Sequence, residues 1–250
     1  AATSALAAWP ERPIKILIGY APGGSTDVVA RMLSSKLGER LGQPIIIENK
    51  PGGAGDFAAE MMLQAPPDGY TLMMTTVAVH AINPGLYKSR KFHPLDDFTP
   101  VALIFEVPQV LITKKDLPPN NLAEFIAYAK ANQATMQYGS SGVGGSGHLA
   151  CALLNATIGV NVTHVPYRGG GQVITDAAGG QFELFTANPS PGVNAMLLQG
   201  KFRILAVAAP RRLAALPAVP TLTELGYADA NYTSHFGFFA PAKTPEAVLK

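Results

Sequence analysis

Two stretches of this chain gather residue types that bind small anions. The first, Pro22-Gly23-Gly24-Ser25-Thr26-Asp27, sits where a β-rich run ends and a helical pattern begins. A helix N-terminus carries unpaired backbone N–H groups and the positive end of its dipole. Glycine lets a ligand approach that backbone closely, and Ser25 or Thr26 can cap the helix or donate a hydroxyl. Together these suit a carboxylate or another small anion, although an ordinary capped strand-to-helix turn is written with the same residues. The second stretch runs from Tyr138 to His148 and holds Ser140, Ser141, Gly142, Gly144, Gly145 and Ser146. Its hydroxyl and amide density suits the same chemistry. A third glycine turn, Pro51 to Gly55, carries no hydroxyl and reads as structure.

Other chemistries fail on spacing. Gly142, Gly144 and Gly147 form a G-x-G-x-x-G, but a dinucleotide site needs an acidic residue about 20 positions further on. No Asp or Glu lies between Gly147 and Asp176. There is no GxxxxGK[ST], and no serine stands in a G-x-S-x-G elbow. His80, His93, His148, His164 and His235 show no close ligand spacing and read as hydrogen-bonding or surface residues. Cys151, the only cysteine, excludes an intrachain disulfide and falls on an apolar helix face. Asp96-Asp97 reads as a solvated pair, and Arg168 as an exposed arginine. No nucleophile, base and oxyanion hole assemble. The expectation is a binding protein rather than an enzyme, with no cofactor and no metal.

Composition narrows the partners. Of 250 residues, 48% are hydrophobic and 14% charged, far from the composition of disorder. A formal charge of +2 gives no reason to expect nucleic acid, whose binders carry clustered basic excess. No apolar run approaches the roughly 20 residues of a membrane-spanning helix. The first eight residues, Ala-Ala-Thr-Ser-Ala-Leu-Ala-Ala, read as the end of an export signal with Ala5-Leu6-Ala7 in the cleavage pattern, or as a weakly specified terminus.

The elements that must position the two loops alternate. Strand-like runs at 14–18, 44–48 and 70–75 alternate with helical patterns at 29–41, which Gly42 stops, and at 56–64. Two apolar strand-like runs follow between Val101 and Thr113, split by Glu106-Val107-Pro108. A second series then places strands near 136–138, 162–165, 182–186 and 202–208, with helices near 122–131, after the glycine-serine stretch 139–147 as far as Thr157, and near 172–178 and 193–198. Phe236-Gly237-Phe238-Phe239 reads as a last strand. Strand, turn and helix in alternation argue for α/β architecture with parallel sheets. Two such series joined near 101–113 and 234–240 predict two lobes, 9–106 with 237–250 and 107–236. Two hinge-crossing strands would join them, with a ligand cleft between. Such a hinge allows closure over a ligand. No short-period repeat is present.

At the two loops the sequence resembles a known family, the Bug-type periplasmic solute receptors of tripartite tricarboxylate transporters. The likeness runs from Trp9-Pro10 to the end. It includes Ala21-Pro22-Gly23-Gly24-Ser25-Thr26-Asp27, Glu48-Asn49-Lys50-Pro51-Gly52 and Pro67-Asp68-Gly69-Tyr70-Thr71-Leu72. It continues through His80-Ala81-Ile82-Asn83-Pro84, Ser140-Ser141-Gly142, His148-Leu149-Ala150, His164-Val165-Pro166-Tyr167-Arg168-Gly169 and Leu216-Pro217-Ala218-Val219-Pro220-Thr221. The resemblance implies a two-lobed periplasmic-binding-protein fold of type II, the "Venus flytrap". It implies capture of a small organic acid in the periplasm, a dicarboxylate or an aromatic acid, and delivery to a membrane permease. One carboxylate would meet Gly23, Gly24, Ser25, Thr26 and Asp27 with Thr75 and Thr76. The other side would be Ser140, Ser141, Gly142, Gly144, Gly145 and Ser146 with Thr186, Ala187 and Asn188, and Tyr20 would wall the cleft. Many relatives carry an acidic residue at Thr186-Ala187, so an amino-acid ligand is disfavoured here. Gly145 stands where a hydroxyl is common, and Cys151-Ala152 where Gly-Glu is common. Relatives also continue beyond Lys250 with helices that complete the first lobe. A nucleotide-using α/β enzyme and a sensory domain on the same scaffold are the other classes that these residues leave open.

Overall fold

The computed structural model describes residues 9–250, so the export-signal reading of residues 1–8 lies outside the described residues. The chain divides into two α/β units, one extending to Phe105 and resuming at His235–Lys250, the other covering Glu106–Ser234. No helix among the described residues is long and apolar enough to cross a membrane.

In the first unit, strands β1 (Ile14–Ile18), β2 (Ile45–Asn49) and β3 (Thr71–Thr76) are parallel, with β1 in the middle. Strand β4 (Phe98–Pro108) and strand β10 (Thr233–Pro241) extend the sheet in the order β2-β1-β3-β10-β4, and β10 runs antiparallel to β3. β1 is almost wholly apolar because a central parallel strand is covered on both faces; Ile14, Ile16, Leu17 and Ile18 are all buried. Helix α1 (Ser25–Leu41) follows β1 and ends where expected, at Gly42 in the left-handed conformation (φ 68°). Helix α2 (Asp56–Leu63) buries Ala58, Ala59 and Met62 against Leu17, Met73, Val79, Phe92 and Phe98. After β3 a π-helical turn, Ala78–Ile82, leads into the short helix α3 (Asn83–Leu86).

The second unit repeats this plan. β6 (Gln137–Ser140) lies between β7 (Thr163–Pro166) and β8 (Leu184–Ala187), all three parallel. β5 (Val110–Lys114) runs antiparallel to β8 and to β9 (Phe202–Val207), giving the order β7-β6-β8-β5-β9. Helices α4 (Leu122–Asn132), α5 (Ser146–Ile158), α6 (Gly170–Ala178) and α7 (Pro191–Leu198) cover it. Its largest core cluster joins Phe125, Met136, Tyr138, Leu154, Leu184 and Leu205. β1 and β6 therefore occupy the same place in their sheets, each followed by a glycine loop and a helix. The two strands that connect the units divide between them: β4 passes the boundary after Phe105, and β10 passes it after Ser234.

Close backbone approach fixes the end of β1. A Cβ built on Gly19 would stand 2.3 Å from the Gly55 Cα, an atom that cannot swing aside. Gly19→Ala is therefore expected to lower stability by about 1–3 kcal/mol, the range for forced overpacking. Urea denaturation of the variant checks this, and an unchanged midpoint would mean that the Pro51–Gly55 turn gives way freely.

Candidate ligand-binding site

The two loops after β1 and β6 have the same backbone. Gly23 and Gly144 are both left-handed, with φ 85° and 84°. Gly24 and Gly145 follow in extended conformation as the N-caps of α1 and α5, and Ser25 and Ser146 open the helices. The first helical backbone bonds run from Val28 N–H to Gly24 C=O (3.0 Å) and from Leu149 N–H to Gly145 C=O (3.1 Å). The N–H groups of Ser25, Thr26 and Asp27, and of Ser146, Gly147 and His148, thus precede the first turn's bonding and are open to an outside acceptor. Of the two roles open to Ser25 and Thr26, capping α1 is the one they do not take. The cap lies one residue earlier, at Gly24, and no side chain caps the helix.

A side chain on the third helical residue ties down each loop instead. In the first unit Asp27 Oδ2 accepts the Gly23 N–H at 3.0 Å. Its Oδ1 accepts from Arg31 Nε and from Asn49 Nδ2, each at 3.0 Å. Burial would raise the Asp27 pKa, but the bonds from Arg31, Gly23 and Asn49 outweigh it and hold the carboxyl below its ordinary value. Asn49 also donates to the Tyr20 carbonyl (3.0 Å). The Tyr20 hydroxyl donates to Ala54 C=O (3.0 Å) and lies 3.1 Å from Thr76 Oγ1, which accepts the Ala78 N–H at 3.2 Å. One hydrogen-bonded chain therefore runs from Gly23 through Asp27, Asn49, Tyr20 and Thr76 to the turn after β3. Thr75, fully buried beside it, has a hydroxyl with no protein partner.

In the second unit His148 Nδ1 accepts the Gly144 N–H at 3.1 Å, which places the ring proton on Nε2. The His148 ring stacks on His164 (centroids 4.2 Å apart), and His164 stacks on Tyr138 (4.8 Å). Burial lowers the His148 pKa; burial and the neighbouring His148 bring that of His164 to about 4. His164 Nε2 lies 2.6 Å from Ser140 Oγ, which also accepts the Gly142 N–H at 3.2 Å. Thr186 donates to the Gly147 carbonyl at 3.0 Å and accepts the weak Cys151 thiol bond. Burial pushes the Cys151 thiol up to about 12, so it stays neutral. Asn188 Nδ2 donates to Val107 C=O (3.3 Å) and Ser234 Oγ (3.1 Å), and Gln109 Nε2 donates to the same hydroxyl at 2.8 Å. The buried Ser146 hydroxyl sits near the Tyr232 phenol and lowers its pKa against the larger effect of burial, yet neither hydroxyl closes a bond of ordinary geometry.

The structure thus gathers Tyr20, Gly23–Asp27, Thr75 and Thr76 at one end of the first sheet. Ser140, Ser141, Gly142, Gly144–Ser146 and Thr186 gather at the matching end of the second. Ala187 ends β8, pairs with Val110 and packs against the apolar cluster around Phe185, so its side chain brings no polar group to the site. The side chains of Asp27, Thr76 and Thr186 are engaged at or beside the loops, whereas Asn188 instead ties Val107 to Ser234. Sequence reasoning missed Asn49 and Arg31 as supports and read His148 and His164 only as hydrogen-bonding or surface histidines; both are hydrogen-bonded at the second loop. A signal for one existed, since Arg31 stands four residues after Asp27, the spacing of a helical ion pair. Asn49 had none, because only the β1–β2 register brings it there.

Residues 29–250 match the sequence profile of the Tripartite tricarboxylate transporter family receptor. The chain belongs to this family of solute-binding receptors. Among solved structures, the periplasmic binding protein BugD is 32% identical with TM-score 0.91, covering 96% of this chain and 80% of its own. Rpa4515 of R. palustris, solved with adipate, is 35% identical with TM-score 0.93, covering 97% and 81%. MatC (Rpa3494) from Rhodopseudomonas palustris, with bound malate, is 34% identical with TM-score 0.91, covering 96% and 82%. The two mixed sheets and their helices are the fold of these periplasmic binding proteins.

Asp27→Ala would remove the acceptor of the Gly23 N–H and of Arg31 Nε, and one of the two acceptors of the Asn49 amide. An expected loss of about 2 kcal/mol follows from removing charge-assisted bonds at a buried site. Because the folded-state pKa is depressed, this contribution is complete above the unfolded value near 3.8 and disappears as pH falls through the lower folded value. Urea curves should show the wild-type advantage in full at neutral pH and a shrinking advantage as the pH is taken below 3.8.

Proposed function

We propose that this chain is a periplasmic receptor that captures a small aliphatic dicarboxylate and presents it to the permease of a tripartite tricarboxylate transporter. The observation that carries this reading is the duplicated helix start, Gly23-Gly24-Ser25 and Gly144-Gly145-Ser146. Each presents three N–H groups ahead of the first helical bond, one set per unit. A carboxylate oxygen accepts such donors in charge-assisted hydrogen bonds, shorter and roughly twice as strong as neutral ones. Thr75 and Ser146 add buried hydroxyls that can donate to it as well. Two carboxylates, one at each loop, would use both sets, with the units acting as the two lobes of the receptor. Relatives solved with adipate and with malate, both dicarboxylates, support that class over an aromatic acid.

The same residues argue against catalysis. Ser140 and His164 are close enough for a nucleophile and its base, but His164 titrates near 4 and is backed by the His148 and Tyr138 rings. A base so weak at neutral pH, with no carboxylate orienting it, does not activate a hydroxyl. Capture followed by a shift between open and closed populations is what a permease can read.

Calorimetric titration with adipate and malate, beside their monomethyl esters, tests the reading. The diacids should bind, each ester should bind at least about tenfold more weakly, and Ser25→Leu with Thr26→Leu should weaken the diacid similarly. At 100 times its dissociation constant a diacid should raise stability by roughly 2.7 kcal/mol. Equal affinity for ester and diacid, or no binding of any carboxylate, would contradict it.

A further inference from the structure

The two loops are built alike but held by different chemistry. Asp27 accepts the Gly23 N–H with a carboxylate that stays ionised throughout the physiological range. His148 accepts the Gly144 N–H with the lone pair of a neutral imidazole. An imidazolium has two donors and no acceptor. If Nδ1 takes a proton, two donors face each other across 3.1 Å and the bond that fixes Gly144 is lost.

We propose that His148 is the positioning residue of the second loop and makes carboxylate capture depend on pH through the Gly144 N–H bond. This rests on the receptor reading above and names the regulation of that site. The groups around the ring leave the proton little stabilisation. His164 on β7 stacks on one face, and Tyr138 on β6 lies beyond it with ring centroids 6.4 Å from His148. Cys151 is on the same helix, and Asp229 is on the 3-10 turn Ala228–Ala230 packed against α5. None of these supplies a compensating charge: burial alone lowers the His148 pKa, and His164 is lowered further by His148 itself. The first proton therefore goes to His148, disfavours a second on His164, and releases the loop. The first loop, held by Asp27 and Arg31, keeps its form over the same range. Acidification thus disables one anchor of the two.

His148→Asn supplies the test, because the amide oxygen of Asn can stand where Nδ1 stands and does not titrate. Adipate affinity of the full chain is measured between about pH 7.5 and about pH 4.5, and the ratio of wild type to variant cancels the titration of adipate itself. Binding that needs the neutral ring loses up to about tenfold per pH unit below its pKa, so once the pH falls below the His148 ring titration, wild-type affinity should drop by up to about tenfold per unit relative to the variant. Parallel profiles, or a relative gain for the wild type in acid, would overturn the proposal. A ligand-free readout separates it from the receptor reading. The Gly144 amide resonance should move with the His148 ring titration in the wild type and stay still in His148→Asn. His164 should meanwhile titrate above its wild-type value of about 4 in that variant. An amide indifferent to ring protonation refutes the latch whether or not adipate binds, whereas a coupled amide without any carboxylate binding refutes only the receptor reading. Should His148→Asn fail to fold, His164→Gln must still show the Gly144 amide following a single His148 titration, and loss of that coupling would overturn the proposal.

Discussion

A helix start that leaves its first N–H groups open for a ligand must be fixed by something other than its own cap. A side-chain cap would consume one of those donors, and a loose loop would lose the aim of all of them. Here the constraint is met twice in the same way. A left-handed glycine turns the chain, a second glycine caps the helix through backbone alone, and the third helical residue reaches back to the first glycine's N–H. The acceptor that holds the loop takes the N–H of Gly23 or Gly144, outside the helix, and none of the three open donors.

Everything around each loop supports that arrangement. In the first unit, β2 delivers Asn49 to Asp27 and Tyr20, while the close approach of Gly19 and Gly55 brings the Ala54 carbonyl to the Tyr20 hydroxyl. In the second, the Gly147 position is set by Thr186: a Cβ on Gly147 would come within 2.9 Å of the Thr186 carbonyl. The topological repeat β2-β1-β3-β10-β4 and β7-β6-β8-β5-β9 explains why the loops fall at equivalent places. Both follow the central one of three parallel strands, where sheet architectures of this class present ligand sites beyond the carboxyl ends of strands.

Much of the fold was legible because alternation of apolar runs and glycine turns reports strand and helix directly. β1, α2 and the Gly42 stop of α1 fall where the pattern put them. The connection between units was read less well. Glu106-Val107-Pro108 looked like a break, yet β4 continues through Pro108 and the interruption is at Gln109 alone, since a proline lacking its N–H can still end a strand. The π-helical turn at Ala78–Ile82 left no signal, because its residues carry neither a cap nor a distinctive period. At the site, the glycines and serines were readable, and their supports were not. The recurring Gly-Gly-Ser-x-Asp and Gly-Gly-Ser-x-His pattern was present, but its meaning depends on a side chain folding back to a left-handed glycine, which no local propensity encodes.

The central proposal is that the open N–H groups of both helix starts bind carboxylate. Amide chemical shifts recorded while adipate is titrated into the isotopically labelled protein test it most directly. The account predicts that Ser25, Thr26 and Asp27 move together with Ser146, Gly147 and His148, with one shared dissociation constant. Movement at only one of the two loops, or at neither while adipate still binds, would contradict it.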